Sequence, residues 1–252
     1  MRFVSLSDIH IHQHGDDGWR LLETFAAHPL VREATHVGLL GDVFDLMAGN
    51  HPAYLERHHG FFKLLREWCE DGKTVFWAEG NHDMHLGGLA RRATAEWPPA
   101  ARARLVALRE DKLITLGDTM LSVGHGDRFD PTDHTYLAYR RFIDRRFWRF
   151  VADHVMPYFL LNWLGERASR RSRAHGYQTF DEEAVRARFR AGVAALAPKD
   201  ARVVVGGHSH VADVFTWDNR TYINNGFPRR SGKFVVVDAA GARLEVLQPS
   251  LV

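Results

Sequence analysis

Lys73-Thr74-Val75-Phe76-Trp77-Ala78-Glu79 runs straight into Gly80-Asn81-His82-Asp83. The β-branched and aromatic side chains of the first seven residues predict a buried strand, and the glycine predicts the turn that ends it. Oxygen and nitrogen donors follow that turn at once. The pattern recurs at Ser7-Asp8-Ile9-His10, Gly41-Asp42-Val43-Phe44-Asp45, Gly124-His125-Gly126-Asp127 and Gly206-Gly207-His208-Ser209-His210. A fold that gathers these strand ends pools Asp8, His10, Asp42, Asn81, His125, His208 and His210 in one cleft. Carboxylate, amide and imidazole donors in that number suit two divalent cations, with Asp42 as the natural bridge.

Working outward, Phe3 to Ser7 and His36 to Gly41 read as two further buried strands, and Trp19 to Ala27 as a helix with Leu21, Leu22 and Phe25 on its inner face. Tyr54 to Glu70 reads as one long helix, because Phe61, Leu64, Leu65 and Trp68 fall at helical spacing and Gly72 follows as a stop. Strand, helix, strand, helix, strand argues for βαβ crossovers with functional loops at the strands' carboxyl ends. From Leu113 onward the signal is a meander of hairpins: Leu113 to Leu116 with Met120 to Val123, Asp213 to Trp217 with Thr221 to Ile223, and Phe234 to Asp238 with Arg243 to Leu247. A helix from about Asp181 to Ala197 and an apolar run Arg202 to Val205 precede the last two. Two packed sheets with helices outside them satisfy both halves.

The 252 residues are 45% apolar and 12% aromatic, enough for one large domain with a real core. A net charge of +2 is too small to argue for nucleic acid. The lone Cys69 excludes an intrachain disulfide and reads as a buried structural thiol beside Trp68. Met1 to Leu6 lead directly into Asp8, with no room for a signal peptide's apolar core, so a cytoplasmic protein is expected. The longest uncharged apolar stretch, His154 to Gly165, has 12 residues, whereas a membrane-spanning helix takes about 20.

One segment stands apart. From Asp133 to His175 the chain carries nine arginines, no lysine and four acids, a formal excess of five positive charges against +2 for the whole, together with nine of the 29 aromatics. Pro157 is expected to break it into two helical pieces.

The ordered series D-x-H, G-D-x-x-D, G-N-H-D, G-H and G-H-x-H resembles the calcineurin-like metallophosphoesterase family over nearly the whole chain. The resemblance implies an α/β (α+β) fold, a four-layer αββα sandwich, holding two metal ions between the loops of its sheets. It implies that Asp8, His10, Asp42 and His210 hold one ion and that Asp42, Asn81, His125 and His208 hold the other. Two cations then activate a shared water and neutralise phosphoryl oxygens, while His82 stabilises the transition state or protonates the leaving oxygen and Asp83 orients it. Asp45 is expected to brace the Asp42 loop, and His12 and His14 to be solvated.

After His125-Gly126-Asp127, the spacing of Asp133, Tyr136, Tyr139 and Arg140 looks like the opening of the helical lid in the UDP-diacylglucosamine hydrolases of lipid A synthesis. Those enzymes cleave a UDP-sugar pyrophosphate to UMP and an acylated sugar phosphate, and the likeness favours Mn²⁺, with Fe or Zn as the other candidates. It implies a lid at residues 133–175 within a single domain 1–252, and substrate contacts at Asp133, Tyr136, Arg140, Ser172 and Arg173. Phe147, Trp148, Phe150, Tyr158, Phe159, Leu160, Leu161 and Trp163 would line an acyl groove or touch the inner membrane's surface. The chain departs from that pattern in two ways: His82 stands where those enzymes usually carry Arg, and their late lid lysines are missing. A general nucleotide diesterase or pyrophosphatase is the alternative. A nuclease is disfavoured by the modest charge, and a non-catalytic scaffold would have lost ligands that are all present here.

Overall fold

The computed structural model describes residues 1–161, 163 and 181–247. Its strands are β1 (Phe3–Leu6), β2 (His36–Leu40), β3 (Met47–Ala48), β4 (Thr74–Ala78), β5 (Asp83–Met84), β6 (Leu105–Leu108), β7 (Lys112–Leu116), β8 (Thr119–Val123), β9 (Val203–Gly206), β10 (Ala212–Trp217), β11 (Arg220–Asn225), β12 (Lys233–Asp238) and β13 (Gly241–Val246). The helices are α1 (Asp17–Ala27), α2 (Pro29–Arg32), α3 (Pro52–Arg57), α4 (His59–Glu70), α5 (Leu86–Ala93), α6 (Pro99–Arg102), α7 (His134–Ile143), α8 (Arg146–Phe150), α9 (Glu182–Leu196) and α10 (Pro228–Ser231).

Side-chain alternation along the strands builds the layers. Val75 and Trp77 of β4 face a core that includes Leu22 and Phe25 of α1 and Phe61, Leu65 and Trp68 of α4. Phe76 and Ala78 face the opposite way, into a core shared with Leu121, Val123, Val203, Val205 and Ile223. On β9, Val203 and Val205 point into that shared core, while Val204 points out to Phe189 and Val193 of α9. Strands that are apolar on both faces must be covered on both, and the result is helix, sheet, sheet, helix.

The first sheet runs β13-β12-β1-β2-β4-β6, the second β10-β11-β9-β8-β7, and β3 with β5 makes a two-stranded ladder. β1, β2, β4 and β6 are parallel, so the loops after β1, β2 and β4 leave the same end of the sheet. β9 is parallel to both β8 and β11, which aligns the loops that carry His125 and His208.

The second half is therefore not a simple meander. The β12–β13 hairpin pairs with β1 and belongs to the first sheet. The expected helix over Tyr54 to Glu70 is two helices, because His58 leaves helical geometry at φ −115° and ψ 33°. Its ring is buried against Phe44 at 4.5 Å between centroids, and burial pushes its pKa down to about 3. Cys69 is buried, and burial pushes its thiol up to about 12, so it packs as an unreactive side chain.

The described part of the arginine-rich segment includes α7, α8 and a wider turn over Val151–Val155, with Met156 extended before Pro157. No described helix is long and apolar enough to cross a membrane.

Candidate metal centre

The ends of β1, β2 and β9 deliver their donors through left-handed residues. Asp8 (φ 59°), His10 (φ 50°), Asp42 (φ 50°), His208 (φ 65°) and His210 (φ 56°) all occupy a region that costs non-glycine residues energy. Five such residues at five expected ligand positions mark a backbone bent to aim side chains inward. Gly41 and Gly80 make the bend possible. A Cβ on Gly41, at φ +82°, would sit 2.5 Å from His125 Nδ1, and one on Gly80 would sit 2.2 Å from Asp42 Oδ1.

All seven expected ligands meet in one place. One donor atom from each of Asp8, His10, Asp42 and His210 lies within 4.8 Å of every other in that group. Beside them, Asn81 Oδ1 lies 3.2 Å from His125 Nε2 and 2.9 Å from His208 Nδ1, and His125 Nε2 is 3.7 Å from Asp42 Oδ1. Asp42 belongs to both groups. His125 Nδ1 donates to the Leu40 carbonyl at 3.0 Å, which aims Nε2 at the centre.

The electrostatics fit cations. Burial, outweighing the pull of Asp42, pushes His10 down to about 4, and burial together with the neighbouring His125 pushes His208 down to about 4, so both rings offer unprotonated nitrogens. Both ring nitrogens of His10 are buried without a hydrogen-bond partner, an expense a metal–ligand bond would remove. Burial opposes a charge on His125, yet Asp42 and Asp8 raise it to about 9. The carboxylates thus hold a positive charge in the cleft, where a divalent ion would replace the proton. Below about pH 9 that proton competes with metal, so apparent metal affinity is expected to rise with pH up to about 9 and binding to release protons. Calorimetric titration of Mn²⁺ in buffers of different ionisation enthalpy measures the release; a buffer-independent heat with pH-independent affinity would contradict it.

The surroundings depart from several expectations. Asp83 does not orient His82. Its carboxylate is fully buried and accepts from the backbone N–H of Asp42 (2.8 Å), Val43 (2.8 Å), Phe44 (3.3 Å) and Gly80 (2.9 Å), stitching two ligand loops together. His82 Nδ1 instead donates to the Asp45 carbonyl at 3.0 Å, leaving Nε2 available beside the His10 ring, 4.8 Å away between centroids. The Asp45 carboxylate lies 3.9 Å from both His10 Nδ1 and His12 Nδ1, and with His10 and His82 it forms a second group able to hold a cation.

Asp133 caps α7 by accepting from Tyr136 N at 2.9 Å. Tyr136 donates its hydroxyl to Asp127 at 2.5 Å and lays its ring 5.2 Å from that of His208. Arg140, expected at the substrate, is 3% exposed and donates to the Gly80 carbonyl at 2.8 Å, so it faces the protein interior. Ser172 and Arg173 lie outside the described residues.

Sequence reasoning missed the pair Asn224 and Asn225 at the end of β11. Asn224 Nδ2 donates to Gly207 O at 2.7 Å, and Asn225 Nδ2 to Ser7 O at 3.2 Å, so adjacent residues brace the last and first ligand loops. Their one visible signal is a polar pair closing an apolar strand before Gly226.

Strand ends that pool aspartate, asparagine and histidine donors around Asp42 form a candidate site for divalent metal ions. The chain belongs to the calcineurin-like phosphoesterase family, whose match covers residues 1–212. That membership implies divalent metal ions at this site. Among curated relatives, the chain is 26% identical over 141 residues to a UDP-2,3-diacylglucosamine hydrolase of Neisseria gonorrhoeae, covering 56% of this chain and 55% of that protein. It is 25% identical over 254 residues to one of Pseudomonas putida, covering 95% and 96%. The chain spans about half the length of the first curated relatives it matches. A solved archaeal phosphodiesterase covers 98% of this chain and 99% of its own at 13% identity and a TM-score of 0.48.

Proposed function

We propose that this protein is a dinuclear-metal phosphoester hydrolase, with Asp8, His10, Asp42 and His210 holding one cation and Asp42, Asn81, His125 and His208 the other. The observation that carries this is the pair of donor groups converging on the single Asp42 carboxylate. Bound divalent ions, Mn²⁺ in our reading, would activate water and neutralise the phosphoryl oxygens. The chain's own residues do the rest. His82, its Nδ1–H held by the Asp45 carbonyl, acts in the imidazolium form and gives its Nε2 proton to the leaving oxygen, ending as the neutral ring. Asp83 holds the loops that present Asp42 and Asn81.

For substrate we propose UDP-2,3-diacylglucosamine, cleaved at the pyrophosphate to UMP and an acylated glucosamine 1-phosphate. Support comes from the names of the relatives and from the segment after Asp133, which we read as the start of a helical lid over residues 133–175. Phe147, Phe150, Phe159 and Trp163 there are 65%, 56%, 74% and 52% exposed, beside Arg141, Arg145 and Arg146. Large apolar side chains mixed with arginines suit acyl chains and an anionic membrane surface, and so a cytoplasmic enzyme peripheral to the inner membrane. His82 in place of the usual Arg favours a second reading, a nucleotide pyrophosphatase or diesterase with another leaving group.

The test is Mn²⁺-dependent turnover of UDP-2,3-diacylglucosamine alongside bis-p-nitrophenyl phosphate. Release of UMP from the first is expected. Cleavage of the second alone would reject the lipid substrate and keep the metal chemistry; cleavage of neither would reject both.

A further inference from the structure

A guanidinium that is 3% exposed needs strong partners, and those of Arg140 are unusual in where they lie. Its Nη1 donates 2.8 Å to the Gly80 carbonyl, 60 residues away. Its Nε lies 3.5 Å from Asp127 and 3.7 Å from Asp144. Gly80 immediately precedes Asn81, and Asp127 follows His125 by two residues. One side chain of α7 therefore touches the loops of two expected ligands.

The Gly80 carbonyl shares a rigid plane with the N and Cα of Asn81, so fixing its oxygen fixes where the Asn81 side chain starts. The Gly80 N–H is held on the other side by Asp83 at 2.9 Å. Held through both its N–H and its carbonyl, Gly80 fixes the start of the Asn81 residue, whose Oδ1 lies between His125 Nε2 and His208 Nδ1. The Asp127 carboxylate accepts from Tyr136 and is paired with Arg140 by charge alone, which carries an electrostatic restraint to the His125 loop. Two further contacts join the helical segment to this region: His85 Nε2 donates to Ile143 O at 3.2 Å, and Arg149 lies 3.6 Å from the buried Glu79.

We infer that Arg140 is a positioning residue, locking the Gly80–Asn81 peptide and the Asp127 loop so that the Asn81, His125 and His208 group is preformed for its cation. The helical segment thereby completes the metal centre, whatever substrate it also covers. Lysine does not substitute fully, because a point charge cannot span the Gly80 carbonyl and two carboxylates as a planar fork does.

The inference rests on the dinuclear reading, and the experiment separates the two. Arg140→Ala and Arg140→Lys are compared with wild type, and with Thr135→Ala as an exposed control on the same helix. Bound Mn²⁺ per chain is counted after dialysis, and kcat and KM are measured on bis-p-nitrophenyl phosphate and on UDP-2,3-diacylglucosamine. Arg140→Ala is expected to retain one Mn²⁺ fewer than wild type and to lose kcat on the small diester by roughly 10- to 100-fold, the loss of a charged hydrogen bond expressed in rate. Arg140→Lys should recover part of both, and Thr135→Ala should match wild type. Should the alanine variant not fold, the lysine variant reads the same two quantities, with a smaller loss expected. Unchanged metal retention with a raised KM for the UDP-sugar alone would make Arg140 a substrate contact and overturn the inference. So would wild-type metal retention with small-diester kcat within about twofold in a folded variant. If wild type cleaves neither substrate, the hydrolase reading fails while metal retention still decides the role of Arg140.

Discussion

Asp42→Asn is expected to reduce turnover of any phosphoester by about 10³-fold or more, because in the proposed site its carboxylate is the donor shared by both cations. The amide keeps an oxygen for the N–H of His82, which donates to Asp42 Oδ1 at 2.9 Å, so the loop should stay in place. Burial pushes Asp42 up, but His125, His82 and His10 outweigh it and hold the group far below the usual carboxylate range. It is therefore ionised across the working pH range, and the substitution removes a full charge from the centre. Metal per chain after dialysis should fall together with rate, while the thermal unfolding of metal-free protein should change little. Retention of more than about a tenth of wild-type kcat in saturating Mn²⁺ would defeat the shared-ligand assignment.

Asp83→Ala carries the largest expected loss of stability. Four backbone N–H groups converge on this fully buried carboxylate, and alanine would strand those of Asp42, Val43 and Phe44, while the Gly80 N–H keeps the Asp83 backbone carbonyl at 2.9 Å. Unpaired buried donors are expensive, and a cost of about 3–5 kcal/mol is expected in urea unfolding of the metal-free protein at pH 7. Asp83→Asn, which keeps one acceptor oxygen, should fall between. A role confined to orienting His82 would give another signature: kcat reduced with stability unchanged.

This contrast shows where the sequence stops. Gly80-Asn81-His82-Asp83 is legible as a ligand loop, because chemistry dictates which side chains can hold a cation and a strand must end somewhere to present them. Whether Asp83 faces His82 or the backbone is not legible. The answer depends on the Asp42 loop lying within hydrogen-bond reach, and that loop is 41 residues away along the chain. Arg140 follows the same logic. Its position in an arginine-rich segment suggests a phosphate contact, but the packing of α7 turns it inward to Gly80. The break at His58 was hidden because helical periodicity continues across it, and only burial of that ring against Phe44 interrupts the helix.

By itself the sequence determined the strands, the helices α1, α4 and α9, the seven donors proposed here and membership in a recognisable class, since these follow from local periodicity and from the ordered motifs at the strand ends. The tertiary structure alone decided the assignment of the β12–β13 hairpin to the first sheet, the parallel course of β9, and the partners of Asp83, Tyr136, Arg140 and the Asn224–Asn225 pair. Those depend on contacts between residues far apart in the chain, which side-chain periodicity does not encode, because a strand with two apolar faces pairs equally well with several neighbours until the whole core is packed.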